Sequence, residues 1–417
     1  MKILWLTNIL LPDICNELNY PIPVTGGWMS SLLNALKFYY PDIQFGVATL
    51  YGRNKEFKKI QSKRVTYYCI PHDPFSHKYN PQLENIWDFI NKDFEPELTH
   101  IHGTEYPGGL AYIKVSPNTK IVTSIQGLIS VICDTRFQFG GIEYKTRRKN
   151  RTVYDILKFI FNPTPSALYK KKQEETYIKS VSNIIGRTEW DLAHTWAINP
   201  NIKYYSCNEI LRAKFYTASK WNYNNCERFS IFLSQGYYPI KGLHMVLKAL
   251  PYVLKKYPQT RLYISGINIL KNGIKSTWYT KYIRQQISQN NLTNNICFLG
   301  KLDENEMINR YQKAHVFICP SSIENSPNSL GEAQLIGTPT IGSYVGGIPN
   351  MIQHHQTGLL YRFEEYEMLA KYICDIFENP TLALHLSQNA ITAAEIRHNV
   401  HDIAKKTFNI YNKIIEK

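Results

Sequence analysis

Short apolar runs alternate with amphipathic stretches along most of the chain, a pattern that predicts parallel sheets flanked by helices. In the first half, residues 2–7 (KILWLT), 43–50 (IQFGVATL), 65–70 (VTYYCI), 98–102 (LTHIH) and 120–125 (KIVTSI) are short and apolar, and read as buried strands. Helical spacing of apolar residues near 28–39, 81–93 and 107–113 places helices between them. Residues 229–234, 260–265, 295–300 and 315–319 repeat the strand pattern in the second half, and helical stretches follow Pro380. The polar, asparagine-rich residues 220–228 separate the two sets and read as a linker. At 417 residues the chain exceeds what one core normally supports, so two α/β domains are expected, over residues 1–222 and 223–395.

The stretch PSSIENSPNSLGEAQLIGTPTIGSYVGG, residues 320–347, carries the most chemistry. It follows the apolar run AHVFIC, and its Ser-Pro-Asn-Ser turn opens into a helix, delivering the backbone N–H groups of Asn328, Ser329 and Leu330 at a helix start. Free amide donors and the helix dipole favour an anion there. Glu324 stands before that turn and Glu332 one helical turn beyond it. Carboxylates do not bind phosphate, but they accept hydrogen bonds from sugar hydroxyls. The arrangement suits a molecule with phosphate in the middle and polyols at both ends, a nucleotide sugar. The plainer reading of two glutamates alone is a dipole-complementing Glu332 and a solvated loop charge at Glu324.

The block resembles the E-x(7)-E region of glycosyltransferase family 4, retaining sugar transferases of the GT-B fold. The resemblance implies two Rossmann-like domains facing across a cleft. Residues 1–222 would bind acceptor and residues 223–395 the nucleotide sugar, with a last helix over residues 396–417 crossing back to the first domain. It implies that Glu324 contacts the donor sugar, that Glu332 holds the ribose hydroxyls, and that the amides of Asn328, Ser329 and Leu330 meet the diphosphate.

Other positions follow from the same resemblance. Thr25-Gly26-Gly27 precedes a helix, and Gly26 and Gly27 would let the backbone approach the donor phosphates. His102, at the end of LTHIH, matches a functional histidine of the family, although a strand-end histidine is commonly structural. The next strand exit, TSIQGL, has Gln126 where many relatives carry histidine, and an amide cannot act as a base. SQGYYPIKGLH resembles the family's GR…KG element. Lys241 matches its lysine, and Gln235 stands in the arginine position with only a neutral hydrogen bond to offer. In GRTEWDLAHT, Thr188 and Asp191 read as a capping box, with Arg187 ahead of them as an acceptor-side candidate. The expected catalytic set is Lys241, Glu324 and His102. Lys241 and the helix amides would stabilise the leaving group, and Glu324 would place the sugar rather than attack it. No D-x-D occurs, and no metal or cofactor is expected, the nucleotide sugar being a substrate.

Charge and cysteine usage refine the setting. The net charge is +15, and residues 145–172 hold nine Lys or Arg against one acid, Asp155. That cluster lies beside Ile, Leu and Phe, which reads as a patch for an anionic membrane surface rather than for nucleic acid; a solvated helix face is the bland alternative. Eight cysteines without any C-x-x-C pair suit reduced, buried thiols. No run of 18 apolar residues is present, and the N-terminus lacks a small-residue cleavage site. The expected protein is therefore cytoplasmic and peripheral on the inner face of the membrane. It would move a hexose from a UDP- or GDP-linked sugar to a lipid-linked glycan acceptor in surface or capsular polysaccharide synthesis. A GT-B nucleotide-sugar 2-epimerase and a basic scaffold with a vestigial donor site are the rival readings.

Overall fold

The computed structural model describes residues 1–23, 26–52, 55–62, 64–161, 166–270 and 276–416. The chain divides into two compact units. The first comprises Met1–Cys133, Pro165–Arg212 and His398–Lys417, and the second Asp134–Thr164 and Ala213–Arg397.

The first unit carries β1 (Lys2–Thr7), β2 (Gln44–Leu50), β3 (Lys58–Gln61), β4 (Val65–Ile70), β5 (Leu98–His102), β6 (Ile121–Ser124), β7 (Asn183–Gly186) and β8 (Lys203–Ser206). Their order is β3-β4-β2-β1-β5-β6-β7-β8, parallel except where β3 runs antiparallel to β4. β3 and β8 escape the sequence pattern because they are sheet edges with no fully buried residue. Between β1 and β4 on one side and the helix Gln82–Phe94 on the other lie Leu4, Leu6, Tyr68, Trp87 and Ile90, all buried. Each such side chain contributes roughly 1.5–3 kcal/mol on leaving water. The helix Val400–Ile415 packs in this unit, where the Tyr411 hydroxyl meets Trp5 Nε1 at 3.1 Å and His100 Nδ1 at 2.6 Å.

The second unit carries β9 (Glu227–Leu233), β10 (Arg261–Ser265), β11 (Ile296–Gly300), β12 (Ala314–Cys319), β13 (Thr340–Ser343) and β14 (Leu359–Tyr361). The order is β11-β10-β9-β12-β13-β14, parallel throughout. β13 and β14 have only four and three residues, too few to show a period.

Two sequence expectations need correction here. Residues 220–228 are not a linker, and the boundary falls earlier, after Arg212. Trp221 is buried, its backbone N–H donates to the Ile336 carbonyl at 2.7 Å, and its indole N–H donates to the Ala314 carbonyl at 2.7 Å. Residues 134–164, placed by sequence in the N-terminal domain, belong to the second unit. Ser322 Oγ donates to the Phe137 carbonyl at 2.9 Å, His244 Nε2 meets the Gly140 carbonyl at 2.8 Å, and the Trp278 N–H donates to Asp155 at 2.8 Å.

Candidate functional site

In the second unit β9 and β12 are neighbours where the strand order reverses, and ligands of open α/β sheets bind beyond the carboxyl ends of such strands. β9 leads through Gln235 and Tyr238 into the tight turn Pro239–Lys241, and β12 leads into the loop carrying Ser321 and Glu324. The two exits are laced together. The Ser322 N–H donates to the Ile240 carbonyl at 2.8 Å, and a Cβ on Gly242 (φ +69°) would stand 1.7 Å from the Pro320 carbonyl oxygen. Only glycine fits both that approach and that backbone.

This lacing brings the Lys241 ammonium onto Glu324 Oε1, which also accepts from Ser321 Oγ at 2.8 Å. From the other side, the Gly347 N–H donates to the Glu324 carbonyl at 3.0 Å, and a Cβ on Gly346 (φ +51°) would stand 1.9 Å from that oxygen. Glu324 is thus fixed through both backbone and side chain. Burial alone would pull the Lys241 ammonium down, but Glu324 and Tyr238 outweigh it and hold the group above its usual range. Lys241 is therefore a permanent cation. Gln235 Nε2 donates to the Tyr238 hydroxyl at 3.1 Å.

The helix Asn328–Ile336 starts without a side-chain cap, after the extended Pro327. Of the three amides expected to be free, Leu330 donates to the Pro327 carbonyl at 3.0 Å, so it leaves the set. Among the described residues the N–H groups of Asn328 and Ser329 meet no acceptor, and Asn328 Oδ1 is buried without a partner. Glu332 is buried one turn into the helix. This end of the helix combines uncapped donors, a nearby cation and a buried carboxylate, which can hold a diphosphate beside a polyol.

The remaining candidates belong to the first unit. Gly26 (φ +81°) precedes the helix Gly27–Tyr39, and a Cβ on Gly27 would lie 2.7 Å from Arg212 Cγ. Thr25 lies outside the described residues. His102 ends β5, next to β1 at this unit's own reversal of strand order. Its ring packs on Trp5, Trp28 and His100, with centroids 4.6, 5.4 and 3.9 Å away. Neither ring nitrogen has a hydrogen-bond partner among the described residues. Burial, and then His100, hold its pKa well below the usual value, so the ring is neutral. His100 is the satisfied structural histidine, bonded to Tyr411 and to Ser124 Oγ at 2.5 Å.

Arg187 is engaged inside the unit. Its guanidinium donates to the carbonyls of Ile125 at 3.0 Å and Gln126 at 2.9 Å, and pairs with Glu209 at 2.5 Å. The Thr188–Asp191 capping box starts the helix Glu189–Ile198. Gln126 is thereby fixed through its backbone. Sequence reading missed Glu105, whose Oε1 accepts the Gly127 N–H at 2.7 Å. Burial first, then Glu174, push its carboxyl up to about 7. The available signal was a carboxylate three residues after the strand-end histidine. Ser321, beside Glu324, was also missed.

Comparison with known proteins bears on the fold. Residues 218–393 match the family model described as Glycosyl transferases group 1. Sucrose-phosphate synthase from Thermosynechococcus elongatus superposes over 100% of this chain and 99% of its own, with a TM-score of 0.72 at 15% identity. HepE from Anabaena, in complex with UDP-glucose, covers 99% of this chain and 100% of its own, with a TM-score of 0.66 at 15% identity. The fold is GT-B. YtcC of Bacillus subtilis, whose name assigns it provisionally to the glycosyltransferases, is 26% identical over 409 residues, 97% of this chain and 92% of its own. Against the first curated relatives it matches, the chain spans less than half their length, 46% and 39%. The residues matched by the family model fall within the second unit, which holds Lys241, Glu324 and Glu332.

Proposed function

We propose that the protein is a retaining, metal-independent glycosyltransferase of family 4. It transfers a hexose from a UDP- or GDP-linked sugar to a lipid-linked glycan acceptor in surface or capsular polysaccharide synthesis. The observation that carries this reading is the Lys241–Glu324 pair at the β9–β12 strand exits, followed along the chain by the unmet Asn328 and Ser329 amides and the buried Glu332. The match to Glycosyl transferases group 1 over that unit supports it, as does the UDP-glucose bound by HepE.

In the proposed complex the diphosphate meets the Asn328 and Ser329 amides and draws Lys241 partly away from Glu324. Glu324, released from full neutralisation, accepts from the sugar hydroxyls while still held by Ser321 and Gly347. Glu332 accepts from the ribose. As the glycosidic bond breaks, negative charge grows on the phosphate oxygens, and the fixed cation and amides stabilise that charge more than the ground state. The acceptor hydroxyl attacks from the face the phosphate leaves and passes its proton to the departing oxygen. His102, neutral and without a partner among the described residues, would contact the acceptor as a hydrogen-bonding group. Within the first unit, Arg187 and Gln126 would shape the acceptor side.

The experiment is a screen of UDP- and GDP-sugars by ligand-induced melting shift, followed by mass and anomeric analysis of products with and without glycan acceptors. A new glycoside with the donor's anomeric configuration supports the proposal. An altered nucleotide sugar formed without acceptor would instead mark an epimerase. No shift with any nucleotide would leave only a scaffold.

A further inference from the structure

The helix Val153–Phe161, VYDILKFIF, has no buried residue. Its Val153, Ile156, Leu157 and Ile160 share one face at i, i+3, i+4, i+7 spacing. Phe159 and Phe161 flank that face at 69% and 81% exposure, so the last turn is apolar all round except at Lys158. Nine residues are too few for a helix to persist alone in water. Among the described residues its hydrogen bonds to the rest of the unit lie at its start, where the Asp155 carboxylate accepts from Thr152 and from the Trp278 N–H at 2.8 Å, and Thr152 Oγ1 donates to the Ser276 carbonyl at 2.7 Å. The unit therefore holds out a short apolar helix without covering it, and a contiguous exposed apolar patch marks an interaction surface.

The surroundings select the partner. Lys145, Arg148, Lys149, Arg151 and Lys158 are exposed, and none has an ion pair among the described residues. The nearby acids are Glu143 and the tethered Asp155. Arg147 is not part of this rim, because its guanidinium stacks on the Phe139 ring at 3.6 Å. A second copy of the chain would bring the same cations face to face. An apolar tip open on all sides, rimmed by cations, matches an anionic bilayer surface, where aromatic and aliphatic side chains enter the acyl boundary and Lys and Arg stay among the headgroups.

We infer that the helix Val153–Phe161 and its basic rim form a membrane-docking element that seats the second unit on anionic lipid. The inference does not depend on the proposed transferase activity, since docking is measured without donor or acceptor. The test is co-sedimentation of the full chain with phosphatidylcholine vesicles, with and without phosphatidylglycerol. Binding should appear only on anionic vesicles and fall as salt rises. Arg148→Ser, Lys149→Ser, Arg151→Ser and Lys158→Ser together should lower partitioning about a hundredfold or more at low salt. Phe159→Ser with Phe161→Ser should weaken it on every anionic composition. Both variants should keep the wild-type melting temperature, because neither touches a buried side chain. Wild-type protein that ignores anionic vesicles at low salt overturns the inference. So does a dimer in solution that the double phenylalanine variant converts to monomer, since a second copy would then be what covers the helix.

Discussion

The two units build their strand exits from similar residue types to opposite effect. In the first unit Arg187 is tied to two carbonyls and Glu209, Glu174 to Thr104 and Ser130, and Glu105 to the Gly127 amide. Among the described residues His102 stands apart there, with both ring nitrogens buried and unmet and no ion pair or hydrogen bond to hold it. In the second unit the polar groups at the same topological position are fixed but not exhausted. Lys241 and Glu324 face each other, and the helix after them begins with the unmet amides of Asn328 and Ser329. Polar groups satisfied internally hold a shape, and polar groups fixed but unmet are prepared for a ligand. The first arrangement should therefore fail as stability when cut, and the second as activity.

The largest effect should come from Arg187→Met. It leaves Glu209 as a buried, unpaired carboxylate, and breaking such a pair costs roughly 3–5 kcal/mol. Chemical denaturation should show that loss, while any protein that remains folded keeps its nucleotide affinity. A variant of unchanged stability would erase the contrast between the units. Lys241→Ala should act the other way. Turnover should drop about 10²–10³-fold, the scale of losing one preorganised donor to developing charge, with a smaller loss of donor affinity and a smaller loss of stability than in Arg187→Met, because Glu324 is less deeply buried than Glu209 and keeps its bond from Ser321. Steady-state kinetics separate these terms, and unchanged turnover would remove Lys241 from the mechanism.

Glu105 sharpens the comparison through pH. Its folded-state pKa is raised to about 7, so between the ordinary carboxylate range and pH 7 the folded chain holds a proton that the unfolded chain has lost. Stability from this group is full at low pH and is lost as pH rises through about 7. Glu105→Gln keeps an acceptor for the Gly127 N–H and removes the titration. Its melting temperature relative to wild type should therefore climb across that window. A constant difference would mean that Glu105 is not held protonated. The smallest effect is expected from Gln235→Arg, which adds a cation beside the proposed diphosphate and should tighten nucleoside diphosphate binding a few-fold. No change in affinity would place Gln235 away from the phosphates.

What the sequence disclosed, it disclosed through short-range geometry. Glu324 and Glu332 stood out because a single turn and one helical turn separate them, and Lys241-Gly242 because the pair resembles the lysine and glycine of the family's strand-exit element. The long-range contacts were not legible. Nothing local in residues 134–164 announces that Phe137 will receive Ser322, or Gly140 will receive His244. Trp221 sits among asparagines and a lysine, so its burial beneath Ile336 and Ala314 was masked by polar neighbours. The Leu330 amide was misread because the helix start alone does not reveal that Pro327 turns its carbonyl back.

The most direct test is calorimetric titration of UDP and GDP into wild type, Glu332→Ala and Glu324→Gln. Wild type should bind at least one of the two. Glu332→Ala should lose about tenfold or more, the scale of an unmade hydrogen bond to a charged group. Glu324→Gln should bind at least as tightly as wild type, because it frees Lys241 for the diphosphate, yet turn over poorly with the sugar-bearing donor. Equal loss of affinity in both variants, or no binding of either nucleotide to wild type, would contradict the division of roles between the two glutamates.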